Sequence, residues 1–237
     1  MKKSFCDCES CQHQICANRV PIFSTLDAEE LYKVVNLIIR KEYDKGEMVV
    51  MEGDYLENLV IINQGQVKAF KDTQEGKEQI LYIFSEGDFF GEKNLLLEQK
   101  STYYIEALEK TKVCMINKKD FQSLLRELPG IGIKIITELS SRLEKLENTI
   151  QMMGTKSVEV RVNTVLLEFA KKYGKVHEKG IEIDLPLSRE GIANYIGLTR
   201  ETVSRKMSLL QEEGIIEMIG NKKILLLDRQ ALEASIE

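Results

Sequence analysis

Histidine is nearly absent from this chain: only His13 and His177 occur, and neither lies in the central segment 21–127. That scarcity argues against a β-barrel metalloenzyme of the cupin kind, which needs several imidazoles converging on one ion. Also missing are a P-loop, a Gly-x-Ser-x-Gly elbow and a dinucleotide fingerprint, so no common nucleotide-hydrolysing, acyl-transferring or NAD-binding site is encoded. No apolar run approaches the ~18 residues of a membrane span. The start, MKKSFCDCESCQHQIC, has two lysines but no apolar stretch behind them, so it does not resemble a secretory signal. A cytoplasmic location without a membrane partner is expected. A basic surplus is lacking too: the net charge is -5 and the pI about 5.4. This argues against a nucleic-acid coat but leaves a local basic patch open. Acidic residues dominate before residue 128, and the two signs cancel after it.

What is present falls into four stretches of a chain long enough for two domains: 1–20, 21–127, 128–154 and 155–237. The third organises the others. Ile136, Leu139, Leu143, Leu146, Ile150 and Met153 alternate three and four apart, which places them on one stripe of a helix with a seven-residue repeat. Pro129 suits the start of that helix and Gly154 its end. Lys134, Glu138, Arg142, Glu144, Lys145 and Glu147 fall opposite the stripe, on a face expected to be solvated. The stripe is narrower than a core-facing helix needs, which favours a parallel self-pair over an amphipathic helix packed on its own domain.

Four of the five cysteines crowd into the first stretch: Cys6, Cys8, Cys11 and Cys16. Short gaps let several thiolates converge on one soft centre without a folded core, and zinc, an iron–sulfur cluster or a thiol switch would all suit them. Cys114 stands far off in the apolar run 112–117, where a buried strand residue is the plainer reading.

In the second stretch, a helix is expected over 26–40 with Leu31, Val34, Val35 and Ile38 inward. Glycines at 46, 53, 65, 76 and 87 then separate short segments rich in β-branched and aromatic residues, the texture of a small all-β roll. In the fourth, Ser157 caps a helix to about Tyr173, and 181–185 reads as a strand. Ser188 caps a short helix, Gly197 turns, and Thr199 caps a second helix whose Val203, Met207 and Leu210 face inward. Strands at 215–219 and 223–227 around Gly220-Asn221 make a wing. This is a winged helix-turn-helix. Arg200, Glu201, Ser204, Arg205 and Lys206 form the expected DNA face: arginine can donate twice to guanine and glutamate can accept from cytosine. Lys222 and Lys223 at the wing tip suit phosphates.

In this order, and above all in Gly-Leu-Thr-Arg-Glu-Thr-Val-Ser-Arg at 197–205, the chain resembles the CRP/FNR family of bacterial transcription factors. The resemblance implies an α+β fold with an N-terminal cyclic-nucleotide-binding-like β-roll (21–127), a long dimerisation helix (128–154) and a winged helix-turn-helix (155–237). It implies a homodimer on a palindromic operator, with RNA polymerase as a further partner, and base reading by Glu201, Ser204 and Arg205 on half-sites of TTGAT kind. Arg200 matches a DNA-contacting arginine of CRP-like members, which leaves a mixed half-site open. Cyclic AMP is disfavoured: Gly91-Glu92 is kept, but the family's phosphate-holding Arg-Ser pair falls on Ser101-Thr102, leaving a buried phosphate without its counter-charge. The tail resembles the FNR branch, whose [4Fe–4S] cluster ligands fall on Cys8, Cys11, Cys16 and Cys114, with Cys6 as a substitute. The gap from Cys11 to Cys16 is one residue shorter than in the best-known members. The family's role would be control of anaerobic genes by oxygen. Rival inputs are a small molecule in the roll, zinc or a disulfide; a rival class is a β-roll enzyme or metal store.

Overall fold

The computed structural model describes residues 20–74, 76–97, 99–155 and 157–236, without the side chains at 152, 153 and 155. Cys6, Cys8, Cys11 and Cys16, and the side chain of Met153, therefore lie outside the described part. A single 3-10 turn, Pro21–Phe23, opens it.

Helix α1 (Ala28–Asn36) is fixed by a capping box. Asp27 accepts from the backbone of Glu29 and Glu30, and Glu30 accepts from Asp27 N–H in return, all at 2.9 Å. The helix expected to reach residue 40 stops at Asn36, and strand β1 (Ile39–Tyr43) begins three residues later. The β-branched pair Ile38-Ile39 suits a strand better than a helix end, and β1 pairs along β8. Next come β2 (Met48–Val50), β3 (Asn58–Gln64), β4 (Val67–Asp72), β5 (Glu78–Phe84) and β6 (Phe89–Phe90). A short helix α2 (Glu92–Leu97), β7 (Tyr104–Ala107), β8 (Thr111–Asn117) and α3 (Lys118–Glu127) complete the roll.

Two four-stranded sheets, ordered β1-β8-β3-β6 and β2-β7-β4-β5, face each other. The period of two along β3 sorts its residues. Val60 and Ile62 enter the core between the sheets with Phe84, Ile105 and Val113, while Leu59 and Ile61 enter a second core. That second core collects Val20, Ile22 and Phe23, α1, α3 and the first turns of the long helix α4 (Pro129–Thr155) around Cys114 and Ile116.

The described residues pack as two units, one from 20–69 and 82–143 and the other from 70–81 and 144–236. The second holds α5 (Val158–Tyr173), the hairpin β9 (Gly174–His177) and β10 (Gly180–Asp184), α6 (Arg189–Ile196) and α7 (Arg200–Glu212). It ends in β11 (Ile216–Ile219), β12 (Lys223–Leu226) and α8 (Arg229–Ala234). Its sheet runs β11-β12-β10-β9. No helix among the described residues is long and apolar enough to cross a membrane.

Candidate nucleic-acid interface and sensor core

Local signals build the α6–α7 pair. Ser188 accepts from Gly191 N–H at 3.1 Å to start α6, and Thr199 accepts from Thr202 N–H at 3.2 Å to start α7. Between them Gly197 takes the left-handed conformation (φ 68°, ψ 42°), which glycine adopts without a Cβ penalty. Val203, Met207 and Leu210 are buried, and Arg200, Glu201 and Arg205 are exposed beside the half-buried Ser204. A helix start offering two guanidinium groups and one carboxylate can read base edges in a major groove.

Lys206 departs from the expectation. It is buried and its ammonium is paired with Glu159 at the start of α5. The reason is periodic: Lys206 follows Val203 by three residues and precedes Leu210 by four, so it lies on the inward stripe of α7. Its charge ties α7 to α5. The wing lysines also divide. Lys222 is exposed, whereas Lys223 bonds Glu182 at 2.9 Å and Asp184 at 3.3 Å. Hydrogen bonds to those carboxylates, Glu182 foremost, raise Lys223 above the usual lysine range. Asp184 is held below the usual carboxylate range, chiefly by its bond from Lys175.

The stripe on α4 is split. Ile136, Leu143 and Ile150, seven apart, are exposed by 65%, 57% and 69%, and Ile133 joins them. Leu139 instead packs against the roll's second core, and Leu146 is half-buried. The face expected to be solvated is also not uniform. Arg142 lies over the rings of Phe89 and Phe84, donates to the Phe89 carbonyl at 2.7 Å, and pairs with Glu92 at 3.1 Å. Lys145 pairs with Glu168. Charged stems of this length cover apolar surface, so charge alone did not mark them as solvated.

Glu92 is the most constrained acid of the roll. Gly91, at φ 96°, brings the chain so close to β3 that a Cβ would meet the Asn58 carbonyl at 2.5 Å. The Glu92 side chain is only 6% exposed, and its Oε2 has no hydrogen-bond partner among the described residues. Burial pushes its carboxyl above the usual range, with Arg142 acting in the other direction. Nearby, Ser101 is buried and its hydroxyl donates to the Tyr103 carbonyl at 2.7 Å, while Thr102 is exposed. Burial also raises the Tyr103 and Tyr82 hydroxyls, so both stay protonated at neutral pH.

Cys114 sits on β8 opposite Arg40 and Ile61, 5% exposed. Also in the second core are Val20, Ile22 and Phe23, which follow the cysteine run, and Ile131 and Ile135 at the base of α4.

Comparison with known proteins agrees with this layout. The pattern of the cyclic nucleotide-binding domain matches residues 40–127, and that of the Crp-like helix-turn-helix domain matches 160–235. The "Probable transcriptional regulator flp" of Lacticaseibacillus casei is 31% identical over 218 residues, spanning 92% of this chain and 96% of its own. "Electron transport regulator A" of Shewanella oneidensis is 31% identical over 209 residues, spanning 88% and 83%. The solved structure of FixK2 from Bradyrhizobium japonicum superposes with a TM-score of 0.75 at 28% identity, covering 83% of this chain and 96% of that one.

Proposed function

We propose that this chain, which belongs to the CRP/FNR family of transcription regulators, binds a palindromic operator as a homodimer and gates that binding with a [4Fe–4S] cluster on Cys8, Cys11, Cys16 and Cys114, with Cys6 as a spare thiol. DNA binding follows from family membership; its assignment to α7 and the wing, the input and the pairing are the proposal.

The observation that carries the input is the place of Cys114. Cys114 is buried in one core with Val20, Ile22 and Phe23, which follow the cysteine run, and with Ile131 and Ile135 of α4. The donor chemistry fits as far as it is described, since thiolates are the ligands an iron–sulfur centre takes. When bound, the group supplies a centre that oxygen or nitric oxide degrades. The chain's own part is mechanical. Four engaged thiolates would tie the residues before Val20 to β8, and Val20, Ile22 and Phe23 share one core with Ile131 and Ile135. The exposed line Ile133, Ile136, Leu143 and Ile150 then meets its copy in a partner subunit, where burial of each such side chain gains about 1.5–3 kcal/mol before association costs. Pairing sets two α7 helices one DNA turn apart. In this state RNA polymerase is the further partner. Having electron transport regulator A among its relatives supports a redox-linked role, with anaerobic genes as the targets.

Purification without air tests this. The expected protein is brown, carries about four iron and four sulfide per chain, bleaches in air, and loses operator affinity as it bleaches. Colourless protein with stoichiometric zinc would reject the cluster.

A second reading, a small molecule in the roll, is favoured by one observation: the buried, unpartnered Glu92 Oε2 asks for a hydrogen-bond donor. Cyclic AMP is a poor candidate, because the Ser101 hydroxyl is engaged with a backbone carbonyl and Arg142 is committed to Glu92. Calorimetric titration with cyclic AMP, expected to show no binding, checks this.

A further inference from the structure

Helix α5 is gripped on two sides. Glu159 holds Lys206 of the recognition helix, and Glu168 comes nine residues later, half a helical turn away around the axis. One oxygen of Glu168 serves two elements. Lys145 from the C-terminal half of α4 pairs with Oε1, and the Tyr195 hydroxyl of α6 donates to the same Oε1 at 3.4 Å. Tyr195 is buried, and its ring stacks on Phe169, the neighbour of Glu168, with centroids 6.4 Å apart and planes 19° from parallel. Phe169 is itself buried in the core of α5. The Tyr195 ring is therefore set by packing and its hydroxyl by Glu168. Because α6 and α7 are joined by the two residues at 197–198 and the cap Thr199, whatever orients α6 orients the DNA-reading helix.

The pair is not a stability device. Lys145 is 50% exposed and the Glu168 side chain 29%. A pair this open to solvent adds at most about 1 kcal/mol to stability. Its distinctive property is where it lies. It spans the joint between the helix expected to pair with a second copy and the helices that enter the groove, and only residues 156 and 157 separate α4 from α5 along the chain.

We propose that Glu168 is a positioning residue for operator binding: by holding Lys145 of α4 and Tyr195 of α6 on one carboxylate, it fixes the angle between the paired helices and α7, and so the half-site spacing the dimer accepts. This rests on the dimeric, palindrome-reading function proposed above. It extends that reading by assigning spacing specificity to a residue that touches no DNA.

The test uses the full chain, loaded as purified without air, and the tightest palindrome from a selection of randomised inverted repeats. Fluorescence anisotropy gives affinities for that palindrome, for versions with the spacer one base pair longer or shorter, and for a single half-site. The unaltered protein is expected to lose about tenfold or more on either spacer change. Glu168→Gln is expected to bring the three spacings within about threefold of each other while half-site affinity stays within about twofold. The swap Lys145→Glu with Glu168→Lys reverses the ion pair, with the ammonium at 168 now donating to the Tyr195 hydroxyl oxygen, and is expected to restore the spacing preference, which a merely structural role of Glu168 would not predict. Thermal melts followed by circular dichroism verify that the variants fold. A Glu168→Gln protein with the original spacing profile overturns the proposal, as does one whose half-site affinity falls as far as its palindrome affinity. An unaltered protein that binds a half-site as tightly as the palindrome overturns the dimeric reading itself, an outcome distinct from the other two.

Discussion

Replacing Arg142 by methionine takes away the guanidinium partner of Glu92, whose side chain is 6% exposed and whose Oε2 already has no hydrogen-bond partner among the described residues. Breaking a buried ion pair from one side costs about 3–5 kcal/mol. The lost contacts over Phe84 and Phe89 add about 0.5–1 kcal/mol. Two effects work the other way: methionine refills part of the volume, and Arg142 is itself 19% exposed, so water reaches the gap. We therefore expect a loss of about 3 kcal/mol near neutral pH. Adding Glu92→Gln removes the stranded charge and should bring the deficit down to about 1 kcal/mol, the cost of an imperfectly bonded amide.

The pH dependence has a definite sign. Burial already raises Glu92, and Arg142 opposes that rise, so its removal raises the carboxyl further. A carboxyl whose value is higher in the folded state contributes stability that is fully present below the unfolded value and is lost as pH rises through the folded value. The Arg142→Met deficit should therefore be small near pH ~4 and largest above neutrality, and it should lose this slope in the double variant. Urea unfolding is read by circular dichroism and tyrosine fluorescence, since the chain has no tryptophan. Hydrogen exchange at roll amides separates the two compact units. A single variant within about 1 kcal/mol of the unaltered protein at every pH, or a double variant no better than the single, would refute the assignment of a buried, coupled pair.

Four further outcomes follow from the same geometry. Arg205→Ala should weaken operator binding by about 1–3 kcal/mol per half-site and relax base preference there, measured by anisotropy on single-base variants. Lys206→Met should lower stability yet leave the salt dependence of DNA binding unchanged; a slope reduced by about one would return this lysine to the phosphate contacts. Cys114→Ser should abolish iron and sulfide retention in protein made without air, whereas Cys6→Ser should keep both. Gly197→Ala should cost about 1–2 kcal/mol in melting experiments, because alanine must adopt the left-handed backbone of the α6–α7 turn.

Much of this fold was legible because short-range signals agreed with long-range packing. The caps at Ser188 and Thr199 and the turn at Gly197 fall where the sequence puts them, and α4 spans Pro129–Thr155 against an expected 128–154. What escaped was decided by partners distant in sequence. Strand β1 hides behind a helical period because Ile38, between α1 and β1, packs on the second core at a helical spacing from Leu31, Val34 and Val35. Helices α2, α3 and α8 are 6, 10 and 6 residues long, too brief for a period to stand out. At the site, Lys206 and Arg142 read as surface charges because charge dominates the eye, although the spacing of Lys206 to Val203 and Leu210 already marked an inward position. Arg142 had no such mark. Its pocket is made by residues 84, 89 and 92, which only the roll brings to α4.

Of the seven side chains first assigned to DNA, two lysines are spent on carboxylates of the chain itself. Of the charged side chains in that set, Arg200, Arg205, Lys222 and Glu201 stay exposed, on a molecule whose total charge is -5. With only these side chains on DNA, random duplex would offer this protein little electrostatic reward, since attraction to arbitrary sequence comes almost wholly from released counterions. A regulator so built would linger briefly on the bulk of a chromosome and depend on matched base edges for its residence time. Its occupancy in a cell then tracks how well a site is spelled more than how much DNA surrounds it.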